Sequence, residues 1–321
     1  MELPTPIREA IDAELSKVKL ADLERAFVSL SNAYRSGEKK TKHLIKSELE
    51  RLLYLTTRLP ATYAALCHVI DYFQRVAGHV AGGSLLDVGS GPGTFFLAAG
   101  QSQFPFAKAT FIEKDAAWRT WGEKLIKAVQ PVCPVTWCFE DIEKMTSMSP
   151  HDSVVMSYSL GELLPEMRLK IVEKCWGWTS RYLFLIEPGT PAGFSRIREA
   201  RAFLLEQGAN VVAPCPHSMP CPMPANDWCH FSARLPRTSL HRRVKGGDLG
   251  YEDEKFSYVI FSREPCSLPD ARIVRRPQRN KGHVCLQLCR QGKLEEKIFS
   301  KKQGELYREA CRKEWGDSVD L

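Results

Sequence analysis

Residues 85–94 read LLDVGSGPGT, an apolar run from Leu85 to Val88 that breaks into three alternating glycines, Gly89, Gly91 and Gly93. The apolar part has the length and composition of a buried strand. The glycines mark a turn, because glycine takes positive φ freely and lets a ligand approach the backbone. The N–H groups at the start of the following helix then favour an electronegative group in that turn. The spacing is G-x-G-x-G, whereas dinucleotide-binding turns use G-x-G-x-x-G, and no Lys-Ser/Thr pair follows as a phosphate loop requires. Such a turn suits a ligand without a pyrophosphate, of which S-adenosylmethionine is the common one.

Outward from this turn the chain alternates short apolar runs with helical segments. The runs are 84–88, 109–113, 135–139, 153–157 and 182–187. Segments such as AAWRTWGEKLIKAV and EMRLKIVEKCWGW lie between them. That rhythm belongs to a parallel sheet with crossover helices. ANVVA (209–213) and FSYVIFS (256–262) supply a sixth and a seventh strand. The expected fold is a doubly wound α/β sheet of the class I S-adenosylmethionine-dependent methyltransferase type.

Glu113 closes the second strand, about twenty residues past the turn, where an acidic side chain can accept ribose hydroxyls. Asp141 follows the third strand, placed for an adenine amino group. Asp87, Gly89, Gly91, Gly93, Glu113 and Asp141 are therefore the expected cofactor contacts. After the fourth strand the chain reads MSYSLGEL, without the Asn/Asp-Pro-Pro-aromatic signature of amino-group methylation. No catalytic residue is assigned.

Residues 1–80 carry apolar positions at helical spacing through Ile7, Ile11 and Leu15 and through Leu23, Phe27 and Leu30. Pro60 suits the first turn of a further helix. This region is expected to be a helical cap on a methyltransferase-like domain spanning 81–264. Beyond it, 265–321 reads as a small basic, β-rich extension, with the runs ARIVRR, HVCLQLC and KLEEKIFS and a closing helix, GELYREACRKEW. Residues 265–315 hold 13 Lys/Arg against 6 Asp/Glu, an excess equal to the +7 of the whole chain. A positive field concentrated in this way attracts phosphate backbones.

Three cysteines, Cys215, Cys221 and Cys229, fall within fifteen residues of an irregular, proline-rich stretch, a knuckle spanning 214–231. Cys67, Cys133, Cys138 and Cys175 sit among apolar neighbours and read as small core residues. A core role is implausible for the knuckle, whose thiolates suit zinc or an iron–sulfur cluster. Its spacing, C-x5-C-x7-C, lacks the C-x2-C of zinc ribbons and leans toward a cluster. A fourth ligand is wanting, and Cys285, Cys289, His217 and His230 are the choices. No stretch approaches the apolar length of a membrane span. The acidic N-terminus, without an apolar core, resembles neither a secretory signal nor a transit peptide. A cytoplasmic monomer with no membrane partner is expected.

The runs YLTTRLPATYAAL, LLDVGSGPGT, LIEPGTPAGF, APCPHSMPCP, DWCHFSARLPR and YEDEKFSYV together resemble the methyltransferase-like small-ribosomal-subunit assembly family, in its bacterial type. The likeness extends over nearly the whole chain. It implies a methyltransferase-like fold, a 4Fe–4S cluster (zinc being the alternative) and binding to immature small-subunit rRNA. It also implies four cysteine ligands: Cys215, Cys221, Cys229 and, at the end of the strand HVCLQLC, Cys289. Members differ in whether they methylate anything, and a catalytically active rRNA base methyltransferase is the alternative to an assembly factor. The RNA-binding candidates are the arginines flanking the knuckle and opening the extension: Arg237, Arg242, Arg243, Arg272, Arg275, Arg276 and Arg279.

Overall fold

The computed structural model describes residues 2–35, 45, 47–129, 133–237, 242 and 249–320. Four helices lead: α1 (Thr5–Leu15), α2 (Leu20–Arg35), α3 (Glu48–Thr57) and α4 (Leu59–Ala77). Ser47 and Glu50 form a reciprocal capping box that fixes the start of α3. Pro60 lies in the first turn of α4, where its missing N–H costs nothing. The α4 helix is apolar on nearly every side because it is packed between neighbours, with Phe73 edge-on to Phe104, Tyr182 and Phe184.

The main sheet comprises β1 (Gly83–Val88), β2 (Phe106–Ile112), β3 (Val135–Cys138), β4 (His151–Ser157), β5 (Thr179–Pro188), β6 (Asn210–Ala213), β7 (Phe231–Pro236) and β8 (Tyr251–Ser262). Its order is β3-β2-β1-β4-β5-β8-β6, with β7 paired to β8. The first five strands are parallel, and β8 inserts antiparallel between β5 and β6. A doubly wound sheet with one reversed strand near its edge is the class I methyltransferase arrangement that the strand rhythm predicts. Helices α5 (Thr94–Gln101) and α6 (Ala116–Val129) join α4 on one face, and α7 (Pro165–Gly177) and α8 (Pro191–Glu206) cover the other.

The sequence places the last strand of this sheet at 256–262, but β8 begins five residues earlier and β7 pairs with the added half. That half is charged because its partners are charged. Arg234 bridges Asp253 at 2.7 Å, Arg237 bridges Glu252 at 3.0 Å, and Arg58 of the helical region reaches Glu254.

A second sheet follows, made of β9 (Ala271–Ile273), β10 (Gln278–Asn280), β11 (His283–Arg290), β12 (Lys293–Ser300) and β13 (Ser318–Val319). It closes a small core of its own, Ile273, Val284, Leu286, Leu288 and Phe299, under α9 (Glu305–Arg312). Arg272 of β9 docks it on the main body. Its guanidinium lies 3.3 Å from the Tyr72 ring centre and donates to the Tyr258 hydroxyl at 3.1 Å. Among the described residues no helix is long and apolar enough to cross a membrane.

Candidate cofactor and metal sites

The glycine turn leaves β1 at the carboxyl edge of the sheet. Gly89, Gly91 and Gly93 have φ of 69°, 52° and 80°, a region that side chains avoid. A Cβ at Gly91 would meet no protein atom within 4 Å, so the turn opens onto free space there. Glu113 stands just past β2 and accepts the Gly91 N–H at 3.0 Å and the Asp115 N–H at 3.0 Å. Burial raises the Glu113 carboxyl, while those two N–H groups pull it back. Asp87 is 1% exposed, and neither of its oxygens has a hydrogen-bond partner. Burial, and then the charge of Glu113, push it up to about 8. Asp141 lies half-buried past β3, its carboxylate accepting the Glu143 N–H at 3.1 Å.

The loop after β4 packs beside this turn. The Ser159 hydroxyl donates to the Val88 carbonyl at 3.1 Å, and a Cβ on Gly89 would meet Ser159 at 2.7 Å. Tyr158 holds a φ of 59°, and its buried hydroxyl has no partner. Glu187, 1% exposed at the end of β5, pairs with Arg196 of α8 at 2.6 Å. An orphaned buried carboxylate, a turn open to a ligand and a positioned acid at the end of β2 are what a cationic nucleoside needs. The residues present fit S-adenosylmethionine.

The cysteine segment joins β6 to β7, beginning with the cis peptide bond Ala213–Pro214. Cys215 follows β6 and Cys229 precedes β7, so the sheet sets the two ends of the loop. Trp228 Nε1–H donates to the Gly189 carbonyl at 3.0 Å and Ser257 Oγ–H to the Cys229 carbonyl at 2.7 Å. Cys289 arrives on β11, from the other sheet. Cys215, Cys221, Cys229 and Cys289 all line one cavity. Cys285 lies elsewhere, opposite Ile298 of β12.

Cys215, Cys229 and Cys289 resist ionisation. Burial drives Cys229 far up, with the charges of Cys215, Cys221 and Cys289 adding to it. Cys289 is pushed up to about 12 by burial and then by Cys215 and Cys221. Bound metal inverts this, since its charge stabilises thiolates. As placed, no group of three His, Cys, Asp or Glu among the described residues could hold a metal ion. The thiols share a cavity without being drawn onto one point.

Two further side chains enter this cavity: His217, one of the candidates for the fourth ligand, and Arg201, to which the sequence assigned no role. His217 Nε2 lies 3.3 Å from Cys289 Sγ. Arg201 of α8, 4% exposed, donates from one nitrogen to the carbonyls of His217 and Met219 at 2.8 and 2.9 Å. A signal for Arg201 was present, because it sits on the stripe Ile197, Ala200 and Leu204 that α8 buries.

The arginines expected to bind RNA separate. Arg272 is 1% exposed and stacked on Tyr72, so it cannot meet a phosphate; its role is docking, and the expectation is corrected. Arg275 pairs with Asp227 of the cysteine loop, Arg279 with Glu314, and Arg237 with Glu252. Arg242 and Arg276 are exposed, and Arg243 lies outside the described residues. Lys281, Lys301 and Lys302 are also exposed and share one end of the second sheet, where Lys301 N–H donates to the Gly282 carbonyl at 3.0 Å.

A family model described as mitochondrial small ribosomal subunit Rsm22 matches residues 48–320. The chain is 28% identical over 344 residues to the human "Ribosome assembly protein METTL17, mitochondrial", covering 98% of this chain and 73% of that one. It is 28% identical over 336 residues to the Schizosaccharomyces pombe "Rsm22-cox11 tandem protein 2, mitochondrial", covering 84% of this chain but 43% of the relative. Among solved structures, magnesium protoporphyrin IX methyltransferase from Synechocystis PCC 6803 aligns with a TM-score of 0.43 at 10% identity, over 73% of this chain and 94% of that one. N-methyltransferase NodS from Bradyrhizobium japonicum WM9 aligns with a TM-score of 0.40 at 12% identity, over 61% and 94%.

These relatives overturn the cytoplasmic expectation, since the family and both named proteins are mitochondrial. The acidic N-terminal stretch that suggested a cytoplasmic address is helix α1 of the folded body, its Glu14 paired with Lys124 of α6.

Proposed function

The chain belongs to the mitochondrial small ribosomal subunit Rsm22 family, and on that premise we propose that it is a methyltransferase-like assembly protein of the small ribosomal subunit. In this reading it binds S-adenosylmethionine at the glycine turn, holds a 4Fe–4S cluster on Cys215, Cys221, Cys229 and Cys289, and contacts small-subunit rRNA. The observation that carries it is the convergence of four thiols from two sheets on one cavity. A group bound there ties the basic second sheet to the methyltransferase-like body. Zinc bonds at about 2.3 Å and needs its sulfurs nearly in mutual contact. The C-x5-C-x7-C spacing, without the C-x2-C of zinc ribbons, is what favours a four-iron cluster over zinc. Bound, the cluster supplies positive charge that keeps four thiolates ionised and a rigid link between the sheets.

Protein purified without oxygen should be brown and carry about four irons and four sulfides per chain. Colourless protein with stoichiometric zinc overturns the cluster. Calorimetry with S-adenosylmethionine tests the turn, and co-sedimentation with small subunits tests the partner.

One observation favours a second reading, an active rRNA base methyltransferase with a structural zinc site: the glycine turn is open and its buried acid is intact. Mass mapping of small-subunit rRNA with and without the gene separates it from the first, since only this reading requires a missing methyl group.

A further inference from the structure

The loop from Cys215 to Cys221 has little secondary structure to hold it, yet its carbonyls are not left to solvent. One Arg201 nitrogen bridges those of His217 and Met219, two residues apart. Arg201 is buried, its Nε has no partner, and no carboxylate among the described residues forms an ion pair with it. An uncompensated buried guanidinium is costly unless something negative lies nearby. What lies nearby is sulfur. Arg201 lines the same cavity as Cys215, Cys221, Cys229 and Cys289. From the same loop the His217 ring reaches across to the Cys289 sulfur on the other sheet, with its Nδ1 unpartnered and only 7% of the residue exposed. Facing a thiolate, Nε2 must be the donor.

We propose that Arg201 and His217 are positioning residues for the cysteine-held cluster. Arg201 clamps the Cys215–Cys221 loop and sets a fixed positive charge beside the thiolates. His217 donates Nε2–H to the Cys289 sulfur and so couples the loop to β11. The proposal rests on the iron–sulfur reading above. Four thiolates around a cluster leave net negative charge in a buried place, and hydrogen bonds and charge near the sulfurs set the reduction potential. Both groups favour the more negative, reduced form. Removing either therefore lowers the potential.

The test compares anaerobically purified wild-type protein with Arg201→Gln, Arg201→Lys and His217→Ala. The readouts are iron per chain, the midpoint potential followed by electron paramagnetic resonance, and the rate of bleaching in air. Arg201→Gln and His217→Ala should both shift the potential downward. Arg201→Gln should also weaken iron retention about 10-fold or more, the usual cost of losing a residue that orients metal ligands. Arg201→Lys keeps the charge but loses the fork, so its potential should stay near wild type while bleaching quickens. It also serves if Arg201→Gln fails to fold. A brown wild type whose variants keep its potential and bleaching rate overturns this proposal alone. A colourless wild type overturns the iron–sulfur reading and this proposal with it.

Discussion

Asp87 carries a carboxyl held in the protein interior with nothing to bond to. Its value, about 8 through burial and the Glu113 charge, lies above the ordinary carboxylate range. A raised value means that its contribution to stability is fully present at low pH and is lost as pH rises through about 8. A cationic ligand reverses the preference by favouring the ionised form. S-adenosylmethionine affinity should therefore climb from about pH 6 to about pH 9 with release of a proton, and Asp87→Asn should flatten the climb. Calorimetry in buffers of different ionisation enthalpy reads both effects, and a pH-independent wild type refutes the coupling. At Gly91, alanine gains no clash with protein but takes up a left-handed backbone at about 1–2 kcal/mol. Gly91→Ala should stay folded and lose ligand heat, because its methyl points into the open turn. The cysteines make the sharpest comparison: Cys289→Ser should lose iron while Cys285→Ser retains it. Glycines and strand-end acids were legible in sequence because their spacing states their place on a sheet edge. Arg201 was harder to read, since three arginines in PAGFSRIREARAFLLE look alike until the helix shows which one turns inward.

Elements were legible where one apolar face imposed a period. The glycine turn and the first six strands follow from short runs that the crossover helices bury. The start of β8 was illegible because YEDEK is charged and lies outside the core, held by pairs across the ribbon, whereas β7 buries Phe231, Ala233 and Leu235 at alternate positions in a run too short to stand out. Opposite charges facing each other across strands contribute modestly each. The pair Arg234 and Asp253 is direct in register. The bond from Arg58 to Glu254 is different because it joins separate elements. Both guanidinium nitrogens reach the carboxylate, at 3.2 and 3.0 Å, and Glu254 is mostly covered. It fastens the junction of α3 and α4 to the ribbon. Arg58→Ala and Glu254→Ala should each lower the melting temperature by about 2–4 °C, corresponding to about 1 kcal/mol. The double variant should cost little more than either alone. Additive losses in thermal unfolding would mean that the two side chains act separately.

At the scale of the molecule, the charge excess after residue 265 was plain in the sequence, but its use was not. Composition cannot tell an arginine buried on Tyr72 from one in solvent, and four of the seven expected RNA contacts turn out to be committed within the protein. What remains exposed is Arg242 and Arg276, together with the group Lys281, Lys301 and Lys302 at one end of the second sheet. Cys289 lies toward the other end of β11, six residues from His283 and so about 20 Å away along the strand. On the proposed reading, a cluster there would not touch RNA held at the lysine end but would orient the sheet that presents the lysines. The two ends should therefore fail differently. Reversing Lys281, Lys301 and Lys302 to Glu should weaken binding to small-subunit precursors and reduce the slope of log affinity against log salt by about 2–3, as three lost phosphate contacts require. Cys289→Ser should weaken binding while leaving that slope near wild type, because no phosphate contact has changed. Filter binding across a salt series distinguishes the two, and a triple reversal that keeps its iron and its wild-type slope would remove the lysine end from the RNA interface.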